Sequence, residues 1–226
     1  MKLFIKILIS QSILIGLAFF TLSCMKKAER PQKSIGEEIE SKPFPEQDTI
    51  TVLTEKELIS YVQTAALIQP NPHNGTPFDK LDYDKLIAYD FMGDEEIYPD
   101  AVNEKEKFVP VIVKQQFLNQ QQADRILTAL AQKSSYGDNS AACFRPHLGL
   151  VFFKGNKKIN QISICLSCNN STAEIDIPAK RHKVFNKGKE TQYYLTGFTS
   201  SGKAAIVDLC KEINFYYGID QQKDRK

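Results

Sequence analysis

Tryptophan is missing from this 226-residue chain, and histidine occurs only three times. With 14 Phe and 9 Tyr beside plentiful Ile, Leu and Val, the core is expected to be phenylalanine and branched aliphatics. Several signatures of chemistry are also missing. There is no serine nucleophile elbow, no His-Glu-x-x-His and no glycine-rich dinucleotide loop. Nothing singles out a Ser–His–Asp triad either. No internal repeat is visible. Charge imbalance is lacking once the first 23 residues are set aside: they hold Lys2 and Lys6 and no acids, which leaves 27 basic residues against 27 acidic ones. A chain so balanced presents no electrostatic footprint for nucleic acid or an anionic surface.

A long apolar run occurs at the start alone. After Lys2 and Lys6, residues 7–22 are largely apolar, and Thr21-Leu22-Ser23-Cys24 follows. A short basic start, an apolar stretch interrupted by Ser10, Gln11, Ser12 and Gly16, and a small residue before cysteine form the layout of a bacterial lipoprotein signal peptide. Cleavage of residues 1–23 would leave Cys24 as the acylated N-terminus. Diacylglycerol with an N-acyl chain, palmitate being typical, exceeds the two-chain threshold for stable anchoring, at roughly 0.8 kcal/mol per buried methylene. The expected location is the cell membrane, facing the periplasm or exterior. Met25-Lys26-Lys27 shows no inner-membrane retention aspartate, so the outer membrane is favoured. Residues 24–49 are polar, with Pro31, Pro43 and Pro45, and read as a flexible tether.

Residues 50–226 are expected to form a single domain. Thr54-Glu55-Lys56-Glu57 has the form of a capping box, followed by Leu58, Tyr61, Val62, Ala65 and Ala66 at helical spacing. Strands are predicted at 85–91 and 108–117, and Asn119 caps a helix whose apolar face is Ala123, Ile126, Leu127 and Leu130. Residues 148–153 and 159–166 flank Lys154-Gly155-Asn156-Lys157-Lys158 as a β-hairpin. An edge strand is predicted at 174–177 and a last helix at 202–214, capped by Ser200 or Ser201. The economical architecture is α+β: a small, mostly antiparallel sheet around the hairpin, with about three helices packed on one side.

The strongest chemical feature is Cys143-x3-His147-x17-Cys165-x2-Cys168. A three-residue hairpin loop sets His147 against Cys165, and a two-residue loop sets Cys143 against Cys168. In an exported chain paired cysteines are the default. One reading is a disulfide that closes the hairpin or joins it to Cys210, worth roughly 3–4 kcal/mol in the chain-entropy model. A second is a tetrahedral zinc site of Cys143, His147, Cys165 and Cys168. A third is a Cys165/Cys168 redox pair, disfavoured because it ends a strand instead of opening a helix. Buried unpaired thiols are the fourth.

Cys143-Phe144-Arg145-Pro146, Gly149-Leu150-Val151-Phe152-Phe153, Ile162-x-Ile164-Cys165-x-x-Cys168-Asn169 and Gly197-Phe198-x-x-x-Gly202 resemble the pattern of a group of small uncharacterised lipoproteins of Bacteroidota-type bacteria. The resemblance covers residues 115–218. It implies a lipid-anchored exported domain and carries no assigned reaction, and His147 is not one of its matched positions.

Other signals are weaker. Gly197 to Lys203 fits seven positions of a P-loop, but Ala204 stands where the magnesium ligand belongs. Asp82, Asp84, Asp90, Asp94, Glu95, Glu96 and Asp100 lack the order of an EF-hand loop and read as solvated loop carboxylates. His73 and His182 read as turn and surface residues. The expectation is a binding or structural role in the cell envelope, with the membrane and an envelope protein or small ligand as partners. No cofactor, nucleic acid or nucleotide is expected, and no reaction. The alternative is metal or thiol-redox chemistry at the Cys/His cluster.

Overall fold

The computed structural model describes residues 51–219, all within one contact-defined unit, Asp48–Lys226. The expected signal peptide at 1–23, the expected lipidation site Cys24 and the expected tether at 24–49 lie outside the described residues. The elements are α1 (Glu55–Thr64), β1 (Lys85–Phe91), β2 (Ile112–Phe117), α2 (Gln120–Ala131), β3 (Tyr136–Asp138), β4 (Leu148–Lys154), β5 (Lys157–Cys165), β6 (Asn170–Ala173), β7 (Val184–Phe185), β8 (Tyr193–Tyr194), β9 (Gly197–Phe198) and α3 (Ser200–Glu212), with short 3-10 turns between them. β2-β1-β4-β5-β6 form one antiparallel sheet, and β3–β9 and β7–β8 form two small ones. The fold class is α+β.

Local chemistry sets the helix starts. The Glu57 amide donates to Thr54 Oγ1 at 3.3 Å, while the Glu57 carboxylate accepts the Thr54 amide at 2.7 Å. Asn119 and Gln122 make the same reciprocal box at α2. At α3 the cap is Thr199, one or two residues before the predicted serines.

The helices do not share one side of the sheet. Leu86 and Ala88 of β1 pack with Leu148, Leu150 and Phe152 of β4 beneath α2 and α3. Ile87, Tyr89 and Phe91 face the other way, with Val151 and Phe153, against Leu58 and Val62 of α1 and Ala65 just after it. All seven residues of β1 are buried. A strand covered on both faces needs apolar residues at successive positions, and 148–153 is such an unbroken run. Lys85 is buried here because its ammonium donates to the Val62 carbonyl at 2.7 Å and Asn156 Oδ1 at 3.2 Å.

Two register details matter for the site. Lys154 pairs with Lys157, so the hairpin turn is Gly155-Asn156, but a bulge at Phe152/Phe153 restores the three-residue-loop register, with Leu148 opposite Ile164. The edge strand begins at Asn170, earlier than predicted. Asn169 adopts φ +51°, a left-handed conformation that asparagine tolerates, and turns the chain at once to pair Asn170 with Cys165.

Candidate functional site

Cys165 ends β5, Cys168 lies in the turn after it, and the irregular segment 139–147 runs alongside. The Ala141 amide donates to the Cys168 carbonyl at 2.8 Å, and the His147 amide to that of Ile164 at 3.2 Å. Between these attachments the Cys143 and Cys168 sulfurs meet at 2.7 Å. Cys165 sits behind, its sulfur accepting the Cys168 amide at 3.3 Å, with Phe144 packed over the group. Cys143 is exposed and the other two are buried. Burial pushes the Cys165 thiol up, aided by its contact with Cys168, which opposes the thiolate a redox nucleophile requires. Cys210 is elsewhere, on α3 in the main core, where burial and the nearby Asp90 push its thiol up to about 12.

His147 does not join the sulfurs. Its ring stacks on Tyr216 at 4.0 Å and meets Tyr217 edge-on at 5.7 Å. The four-residue zinc donor set is therefore not assembled, and among the described residues no three His, Cys, Asp or Glu side chains converge as metal ligands. The same ring instead forms part of a cleft of about 400 Å³, lined by Asp90, Met92, Val113, Lys114, His147 and Tyr216, with Thr51 and Ile219 at its rim.

The cleft is a tertiary product. Asp90 ends the regular register of β1 opposite Lys114 of β2. Asn214, at φ +54°, turns the chain after α3, so that the Tyr216 amide donates to Asp90 Oδ2 at 2.8 Å. The Lys114 ammonium donates to the Asn214 carbonyl at 2.6 Å. Asp90 is only 4% exposed; burial raises its pKa, against the opposing pull of the Tyr216 amide and Lys114. Burial lowers that of His147, partly offset by a hydrogen bond to the Phe91 backbone. Burial thus favours the neutral ring. Met92, Tyr216 and Ile219 are each at least half exposed, and they account for three of the six large hydrophobics so exposed among the described residues. An apolar concavity with a few convergent polar groups is the usual form of a small-ligand site. It can hold an apolar or planar group against Tyr216 and Met92 while a polar end meets Asp90 and Lys114.

Sequence reasoning misplaced Asp90, reading it with the loop carboxylates; a lone acid closing an apolar strand was the signal to follow. Asp100 is also no solvated loop residue: it is half-buried and accepts the Ser163 hydroxyl at 2.5 Å. Lys114 and Tyr216 carried no comparable signal. The P-loop-like residues serve packing: a Cβ on Gly202 would lie 2.4 Å from the Ser135 carbonyl oxygen, and one on Gly197 2.4 Å from that of Asn139. His182 packs its ring nitrogen against the Ala179 carbonyl at 2.9 Å, and His73 sits in a 3-10 turn. No family model, curated protein or solved structure matches this chain.

Proposed function

We propose that this chain is a lipid-anchored cell-envelope protein that works by binding, and that the Asp90–His147–Tyr216 cleft is where it binds. The observation that carries the reading is the cleft itself: exposed apolar side chains gathered around a buried carboxylate and a stacked imidazole. Its volume, about 400 Å³, falls in the range of small-molecule sites. The ligand class is a compact, mostly apolar molecule or side chain with one polar end. The lipoprotein-like start ending at Cys24, and the resemblance to small envelope lipoproteins, supply the location. On this reading the thiols serve the fold, and no reaction is assigned.

The amphipathic fluorophore 1-anilinonaphthalene-8-sulfonate tests the cleft directly. It pairs an apolar ring system with an anion that Lys114 can meet. Saturable fluorescence is expected from the wild type, falling at least fivefold in affinity in Tyr216→Ala and Met92→Ser and unchanged in Leu67→Ser, on a separate exposed position. Equal binding by Tyr216→Ala removes the assignment.

A further inference from the structure

The thiol group has a feature that the binding reading leaves unused. Two sulfurs 2.7 Å apart are closer than the roughly 3.5–4 Å of ordinary non-bonded contact and within about 1 Å of the bond length of a disulfide. From this we infer that Cys143 and Cys168 are a disulfide-forming pair, and that the bridge is the clasp holding segment 139–147 on the β5–β6 turn.

The neighbours argue for this pairing over the alternatives. Cys210 lies in the main core, outside the sulfur group. Cys165 is fully buried, and its sulfur accepts the Cys168 amide and lies 3.3 Å from the Ser167 hydroxyl. Cys143 is the exposed member, so it is the thiol that an incoming oxidant reaches. The step is thiol–disulfide exchange with a disulfide-bearing carrier. The Cys143 thiolate attacks one carrier sulfur, forming a mixed disulfide and releasing one carrier thiol. Cys168, after losing its proton, attacks Cys143 Sγ, and the second carrier thiol leaves with the remaining electron pair. The chain gives up two protons and two electrons, and the carrier disulfide becomes two thiols.

What the bridge secures follows from the segment's composition. Residues 139–147 form no helix or strand. Besides the sulfurs they are held by the Ala141 amide on Cys168, by Asn169 Nδ2 on the Asn139 carbonyl at 2.8 Å, by the His147 amide on Ile164, and by the Gly93 and Phe91 amides on the Pro146 and His147 carbonyls at 2.9 and 3.3 Å. The segment delivers His147 to β4. A bridge at Cys143 closes a loop of about 26 residues and removes that freedom from the unfolded chain.

The full-length chain, reduced and then incubated with glutathione disulfide, tests this without reference to export. After quenching with N-ethylmaleimide under denaturing conditions, peptide mapping should find Cys165 and Cys210 alkylated. Cys143 and Cys168 should appear as one cross-linked species that reduction separates. Cys165→Ala should form the same crosslink, and Cys168→Ser should stop with one glutathione on Cys143. The oxidised wild type should melt about 10 °C above the reduced form. Four alkylated thiols, a wild type that stops at the glutathione adduct, or a crosslink through Cys165 or Cys210 would overturn the pairing.

Discussion

His147 and Asp90 titrate in opposite senses, and each leaves its own mark on stability. The His147 pKa is lowered in the fold from 6.5, so the unfolded chain binds its proton more readily. The contribution is complete above about pH 6.5 and is lost as pH falls through the lower folded value. His147→Phe keeps the stack on Tyr216 without the titration. Its Tm should therefore drop less than that of the wild type between pH 7 and pH 5; parallel curves would contradict the burial described. For Asp90 the folded pKa lies above 3.8. Its stabilising state is the protonated one, present below the unfolded value and lost as pH rises through the folded value. Asp90→Asn retains an oxygen for the Tyr216 amide. It should gain on the order of 1 kcal/mol at pH 7 and nothing near pH 3. Urea denaturation at the two pH values measures both, and a variant less stable than wild type at pH 7 would mean that the charge is well compensated.

At the scale of elements, the interplay of propensity and packing is clearest at α3. Gly202 occupies a helical position where alanine has the higher propensity, yet the space for a Cβ is taken by the Ser135 carbonyl oxygen. Gly202→Ala should destabilise by about 2 kcal/mol, while Ser201→Ala stays within about 0.5 kcal/mol; a Gly202→Ala protein as stable as wild type would show that Ser135 and α3 approach less closely. Much of this level was readable beforehand. Thr54/Glu57 and Asn119/Gln122 announced two helices because capping is local chemistry. Residues 85–91 announced a strand because Leu86-Ile87-Ala88-Tyr89, with Phe91, is a short apolar run of strand length. The shift of β6 to Asn170 was hidden, since nothing in Asn169-Asn170 declares which asparagine takes the left-handed turn. The second covered face was written in the unbroken run Leu148–Phe153, but it could be read only by asking what lies on both sides of the strand. The bulge at Phe152/Phe153 gives a two-residue turn the register of a three-residue loop, which the turn length alone does not reveal.

For the whole molecule, the cleft joins Asp90 to Tyr216 across 126 residues of sequence, which explains why composition and spacing did not reveal it. The cysteines were legible as a group because three of them flank one hairpin; their partition, with His147 turned to Tyr216 and Cys210 in the core, depends on how α3 and the residues after it fold back. Lipid anchoring stands apart from the fold and rests on the residues that end at Cys24. The proposed anchor would also place the domain where thiol pairs oxidise. Growth of expressing bacteria on tritiated palmitate, followed by immunoprecipitation and membrane fractionation of wild type and Cys24→Ala, addresses it directly. Label in the wild type, with the variant unlabelled and shed from the membrane fraction, is the expected result. An unlabelled wild type that fractionates like Cys24→Ala would contradict the lipid anchor and, with it, the envelope role.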